Sequence, residues 1–302
     1  MMLDQRLLEA PVIEHDQVDL DGADRVRYLL EQSFSYSYLS PVEQLRQRLV
    51  VVPPQRHGNQ RLLAHRLQVE GARARRETRR DRHGNTVVRL RADRVEHSVS
   101  FRISALLERV RADGPTRVSA AALVDPRLLA ATRLTAPDDR LRAQAELLRR
   151  QHPAAHRSSA GALELAASLC RWVHQEISYE YGITSVRTTA AEALAGGRGV
   201  CQDSAHVMLA LCHLLSLPAR YVSGHLLGQG GTHAWVEVLV AAGDHALAMP
   251  FDPCNGVAGS ARYVTIATGR DYADVRPTSG SYVGAATGNL TTSRRVAVLA
   301  VA

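Results

Sequence analysis

From Val26 to about Arg111 apolar and polar residues alternate with a period of two, interrupted by turn-forming residues. The pattern predicts strands at Val26–Tyr38, Val42–Val52, Leu62–Glu70, Arg73–Asp81, Thr86–Arg91 and Val95–Val110. The tripeptide His-Gly-Asn recurs at His57-Gly58-Asn59 and His83-Gly84-Asn85, and supplies the positive-φ positions that tight hairpins need. A run of strands with no helix between them points to a β-sandwich.

Past Asp113-Gly114-Pro115 the period changes. Ala136-Pro137-Asp138-Asp139 is a helix-start signal, and Asp138–Gln151 and Ala160–Ile177 both space apolar residues three or four apart. A short helix at Thr188–Leu194 ends at Gly196-Gly197. Cys201–Leu217 is apolar on most faces, as a buried helix is, and Pro218 stops it. Strands are then expected at Ala219–Leu227, His233–Val240, His245–Phe251 and Tyr263–Ala267, with a last candidate at Arg294–Val301. Helices followed by an antiparallel run make the fold class α+β. The linear division is an acidic tail at 1–25, a β-sandwich domain at 26–112, a linker at 113–137 and a helix-and-sheet core at 138–302.

Composition narrows the picture. The 302 residues are 45% hydrophobic and 22% charged, which suits a globular protein of one large or two ordinary domains and excludes collagen, coiled coil and disorder. No stretch approaches the roughly 18 apolar residues of a membrane span, and the acidic start lacks a charged-then-apolar leader pattern. The expectation is a soluble, cytoplasmic protein with no membrane partner. Its four cysteines form no CxxC pair and read as reduced thiols. All 37 basic residues are arginine, giving a net charge of +7. The excess lies in residues 51–100, with 12 arginines against 5 acids, while 151–302 balances 10 against 10. The run from Arg73 to Gly84 has no interleaved aromatics, so it is read as a solvated hairpin arm and no nucleic-acid partner is expected.

One cysteine stands apart. In Gly199-Val200-Cys201-Gln202-Asp203 a thiol opens a buried helix behind small residues, where free N–H groups and the helix dipole favour a thiolate. Cys170 and Cys212 sit inside apolar helical patterns and read as small hydrophobes. A nucleophilic thiol needs a base, and the base an orienting group. His233 opens one strand, Asp252 closes the next, and the short connection around Ala241–Asp244 makes them cross-strand neighbours about 5 Å apart at Cβ. Cys201, His233 and Asp252 are therefore the candidate catalytic residues. His206 lies about 140° from Cys201 on the helical wheel and is not the base. His225 is read as a satisfied strand histidine. His152 and His156 are interrupted by Pro153 and are not read as metal ligands.

The segments GVCQDSAHVMLALCHLLSLPARYVSGHL, THAWVEV, FDPCNG and GRDYADV resemble the bacterial transglutaminase-like superfamily, and SYSYLSPVEQLRQRLVVVPP, RRDRHGNTV and LLAATRLTAPDD are similar to its β-rich N-terminal domain and linker. The resemblance implies a papain-like core for 138–302 and acyl transfer by a Cys-His-Asp triad on a peptide or protein amide. Hydrolysis as a cysteine protease or amidase leads, protein-glutamine transamidation is the alternative, and a catalytically silent peptide-binding module is a third reading. Backbone N–H of Cys201 would serve the oxyanion, with a second donor unassigned. No metal or organic cofactor is implied, and nothing fixes the oligomeric state. Ser204, Ala246–Phe251 and Cys254 depart from the family pattern, which leaves Asp252 less firmly placed and raises a disulfide between Cys254 and Cys201 as an option.

Overall fold

The computed structural model describes residues 11–155 and 157–302, so residues 1–10 of the expected acidic tail and His156 lie outside the description. Its first half is β1 (Arg25–Tyr38), β2 (Val42–Val52), β3 (Arg56–His57), β4 (Gln60–Glu70), β5 (Arg75–Arg80), β6 (Thr86–Val95), β7 (Ser98–Val110) and β8 (Thr116–Ser119). Five helices and a turn of sheet follow: α1 (Pro126–Leu129), α2 (Asp139–Gln151), α3 (Ser159–Glu176), β9 (Ser178–Tyr179), α4 (Ala190–Gly196), β10 (Arg198–Gly199) and α5 (Cys201–Leu214). The chain ends with β11 (Ala219–Leu226), β12 (His233–Ala242), β13 (His245–Asp252), β14 (Val257–Ala258), β15 (Tyr263–Gly269), α6 (Tyr272–Val275), β16 (Thr278–Val283) and β17 (Gly288–Val301). The fold is mixed and strand-rich.

Two antiparallel sheets, in the orders β17-β1-β7-β4-β3 and β16-β2-β6-β5, turn their apolar residues onto one shared core. Leu30 and Phe34 of β1, Leu45 and Leu49 of β2, Leu90 of β6 and Ile103 of β7 meet there, all buried. The two His-Gly-Asn turns connect β3 to β4 and β5 to β6, where the sequence places hairpins.

Strand pairing does not follow the linear division at residue 138. β17 lies along the whole of β1, from Val26 opposite Val301 to Tyr38 opposite Gly288, and β16 pairs with β2. The last segment thus returns to the first sheets, while β8, from the expected linker, pairs with β13. The physical reason is edge protection: β1 and β2 are long apolar strands that would otherwise present unpaired backbone.

The second core forms where α3, α4 and α5 pack against the sheet β14-β13-β12-β11-β15. α5 is buried on nearly every face, including Val207, Met208, Leu209, Leu211 and Cys212. Two buried amides tie this half to the first. Gln60 donates to the carbonyl of Thr265 at 2.9 Å and accepts from its N–H at 2.8 Å; Asn85 does the same to Thr268 at 2.7 and 2.9 Å. Each amide imitates one rung of a strand ladder on β15. Among the described residues no helix is long and apolar enough to cross a membrane.

Candidate active site

Cys201 is the first residue of α5. Its approach is fixed by Asp203, two residues on, whose Oδ2 accepts from the N–H of Val200 at 2.8 Å and from Thr184 Oγ1 at 2.7 Å. Gly199 is required here, because a Cβ would stand 2.8 Å from the Asp203 side chain. The backbone N–H groups at the start of a helix have no partner within it, so Cys201 presents its own N–H together with its thiol. Gly199, two residues before the nucleophile, pairs with Tyr179 across a short parallel ladder, and Tyr179 is exposed there.

The antiparallel pair β12–β13 carries the other two candidates. Its register pairs Val236 with Phe251 and Ala242 with His245, leaving a two-residue turn at Gly243-Asp244. Continued one step, this register sets Asp252 opposite Trp235, so His233 is its diagonal neighbour and not the directly opposed one expected from the loop length. The side chains meet all the same: Nε2 of His233 is 2.7 Å from Oδ2 of Asp252. The Sγ of Cys201 lies 3.9 Å from the carbonyl of Thr232, the residue before His233, which sets the thiol beside the imidazole. With Nε2 turned to Asp252, Nδ1 is the ring nitrogen left for the thiol. The three residues picked from the sequence are thus brought together in one site.

Asp252 is fully buried and receives five hydrogen bonds. Oδ2 accepts from His233, from Asn255 Nδ2 at 2.6 Å and from the Tyr263 hydroxyl at 2.7 Å; Oδ1 accepts from the N–H of Cys254 at 2.9 Å and of Asn255 at 3.3 Å. Burial opposes its ionisation, but the hydrogen bond and charge of His233, with Tyr263 and Asn255, outweigh that and hold the carboxyl below the usual range. Asp252 is therefore a carboxylate, firmly placed despite the unusual residues before it. Burial likewise opposes charging of His233, yet its hydrogen bond to Asp252, the charge of that carboxylate and the neighbouring Cys201 sulfur raise it to about 9.

Trp235 closes the site from one side. Its ring lies 6.3 Å from that of His233 in stacked orientation and 5.3 Å from Tyr263 edge-on. It fits because Gly224, opposite His233, has no side chain: a Cβ there would meet the carbonyl of Val264 at 2.2 Å and the indole at 2.5 Å.

Of the remaining candidates, Cys170, Cys212 and His206 lie inside the core away from the thiol's base, His156 lies outside the described residues, and His225 departs from its reading as a satisfied histidine, because its buried Nε2 has no hydrogen-bond partner among the described residues. His206 is wholly buried, accepts from the N–H of Tyr272 at 3.2 Å and is pushed down to about 4 by burial, so it is neutral. His225 is pushed down to about 4 in the same way. Burial raises the Cys170 thiol to about 12 and those of Cys212 and Cys254 further, and all four cysteines are free. Asp271 caps α6 by accepting from the N–H of Ala273 at 2.8 Å. Among the described residues no three His, Cys, Asp or Glu side chains converge as a metal site. Sequence reading missed Tyr263, Asn255 and Asp203. Asn255, three residues past Asp252, carries a local turn signal; Tyr263 carries none, because its contact depends on where the pairing of β15 with β11 sets its hydroxyl.

Residues 152–253 match the model of the transglutaminase-like superfamily, and residues 28–108 that of the bacterial transglutaminase-like N-terminal region. An uncharacterized protein of Mycobacterium leprae is 36% identical over 124 residues, 38% of this chain and 43% of its own length. One from Mycobacterium tuberculosis is 32% identical over 130 residues, 39% of this chain and 41% of its own. The matched stretches thus span less than half of these relatives. The crystal structure of a candidate cysteine protease from Cytophaga hutchinsonii superposes with a TM-score of 0.70 at 21% identity, covering 92% of both chains, a likeness of fold. The chain therefore joins a bacterial transglutaminase-like N-terminal region to a transglutaminase-like core.

Proposed function

We propose that the protein hydrolyses peptide or isopeptide amides through a thioester on Cys201. The observation that carries this reading is the hydrogen bond from His233 to the buried carboxylate of Asp252, with the Cys201 thiol beside the same imidazole. In the reacting pair the thiol proton is carried on Nδ1 of His233, whose imidazolium Asp252 stabilises by accepting from Nε2–H. The thiolate attacks the amide carbonyl carbon, and the N–H of Cys201 at the helix start meets the developing oxyanion. His233 returns its proton to the departing nitrogen, leaving a thioester and a free amine. Water then attacks the thioester, gives a proton to His233, and releases the acid; the proton restores the thiol. Trp235 shields the His233–Asp252 bond from solvent, where a dry surrounding strengthens it.

The two N-terminal sheets we read as a β-sandwich, supported by their shared apolar core, and as the frame that holds β15 through Gln60 and Asn85. The test is turnover of a pool of fluorogenic peptide amides by the wild type, Cys201→Ser and Asp252→Asn, with and without a labelled primary amine. Acid product that depends on Cys201 and incorporates no amine is expected. Amine incorporation that outruns hydrolysis would replace the hydrolase reading with transamidation, and peptide binding with no product at all would replace it with a binding module.

A further inference from the structure

The outer face of the sheet β16-β2-β6-β5 carries arginines in register. Arg46 on β2 stands opposite Arg91 on β6, which stands opposite Arg75 on β5. In the next row on that face Arg48 stands opposite Arg89, and Arg89 opposite Glu77. Like charges directly opposed across a ladder destabilise a sheet, so the row Arg46–Arg91–Arg75 works against the fold that holds it. Arg48 reaches Asp81 at 3.8 Å, but no ion pair of the described residues includes Arg46, Arg75, Arg79, Arg89 or Arg91. Arg46, Arg48, Arg89 and Arg91 border a groove of about 290 Å³, completed on β16 by Ser279 and Ser281, and Arg75 and Arg79 continue the rows onto β5 beyond it. β5 ends the sheet, all its residues are exposed, and among the described residues its only partner is β6. Its outer edge thus offers unpaired backbone N–H and C=O groups.

We propose that this face docks an extended acidic peptide segment, which adds as a strand along the free edge of β5 and sets carboxylates beside the arginine rows. Within the sheet Glu77 on β5 stands opposite Arg89 on β6 in register, outside ion-pair distance. A strand beyond β5 places its own side chains opposite Arg75 and Arg79, where a guanidinium donates two parallel hydrogen bonds to a carboxylate. A nucleic acid fits less well. No aromatic side chain borders the groove to stack a base, and a phosphate backbone cannot use the strand edge. The same charges repel a second copy of β5, so the edge is closed to its own kind and open to an acidic strand.

The inference is independent of the acyl-transfer reading, and its test reads binding alone. The full chain carrying Cys201→Ser is titrated, at low salt, against a fluorescent peptide of about ten alternating glutamate and threonine residues, the length of an ordinary strand. Expected is saturable binding that Arg75→Ser with Arg91→Ser weakens about tenfold or more, a loss of at least about 1.4 kcal/mol. Arg149→Ser with Arg150→Ser, which removes the same charge from α2, should leave it unchanged. A peptide of the same sequence methylated at alternate backbone nitrogens should also bind at least about tenfold more weakly. Equal binding by the methylated peptide, tighter binding of duplex DNA of equal charge, or unaltered binding by the Arg75/Arg91 variant would each overturn the proposal. The first two of these use the unsubstituted face, so they stand even where the double variant folds poorly.

Discussion

The hydroxyl of Tyr263 and Nε2 of His233 converge on a single oxygen, Oδ2 of Asp252, each at 2.7 Å. Because Asp252 is held as a carboxylate, both partners donate, and the tyrosine shares the charge that orients the imidazole. Tyr263 comes from β15, which lies on the far side of β11 from β12, so the acid is braced from a strand that neither His233 nor Cys201 occupies.

Replacing Tyr263 with Phe keeps the ring against Trp235 and removes only the donor. A hydrogen bond to a charged group contributes about 1.5–3 kcal/mol, so kcat/KM should fall roughly tenfold or more, with His233 titrating at a higher pH because Asp252 regains charge toward it. Measured pH–rate profiles of the two proteins check both effects; equal profiles would show that the tyrosine does not act on the pair.

Asn85 makes the clearest link between the two halves. Asn85→Ala deletes both bonds to Thr268 and leaves a buried N–H and C=O unpaired, which should cost about 2–4 kcal/mol. Urea unfolding of the variant gives that number. Because Thr268 lies on the same strand as Tyr263, activity should fall as well in urea concentrations at which the wild type is unaffected.

His233 links stability to pH. Its folded value, about 9, lies above the ordinary 6.5, so the folded state binds a proton that the unfolded state releases between those values. The stability from this proton is complete below about pH 6.5 and is lost as pH rises through about 9. Thermal midpoints should therefore decline across that window in the wild type and decline less in His233→Gln, in which no imidazole titrates. Parallel declines in both proteins would assign the pH dependence to other groups.

Much of this was legible in the sequence because it is local. Period-two alternation marked β1 and β2 almost to the residue, the apolar run after Cys201 marked the buried helix, and the hairpin after His233 brought Asp252 within reach. What pattern reading could not supply was long-range pairing. Nothing local in Gly288–Val301 says that it will lie along β1, more than 250 positions away, and Thr278–Val283 is too polar to read as a strand at all. The diagonal placement of His233 and Asp252 escaped for a related reason: register depends on whether the turn takes two residues or four, and Ala241 and Ala242 suit either. Tyr263 was visible as a strand residue, but its bond to Asp252 exists only once β15 has been set by Gln60 and Asn85.

The most direct test of the central claim is the rate of alkylation at Cys201 at neutral pH, followed by peptide mass mapping in the wild type and in His233→Ala. Cys201 should be alkylated well ahead of Cys170, Cys212 and Cys254 and lose that lead in the variant, because the imidazole beside it favours the reactive thiolate. Alkylation of Cys201 at the same rate in both proteins would contradict an activated Cys201–His233 pair.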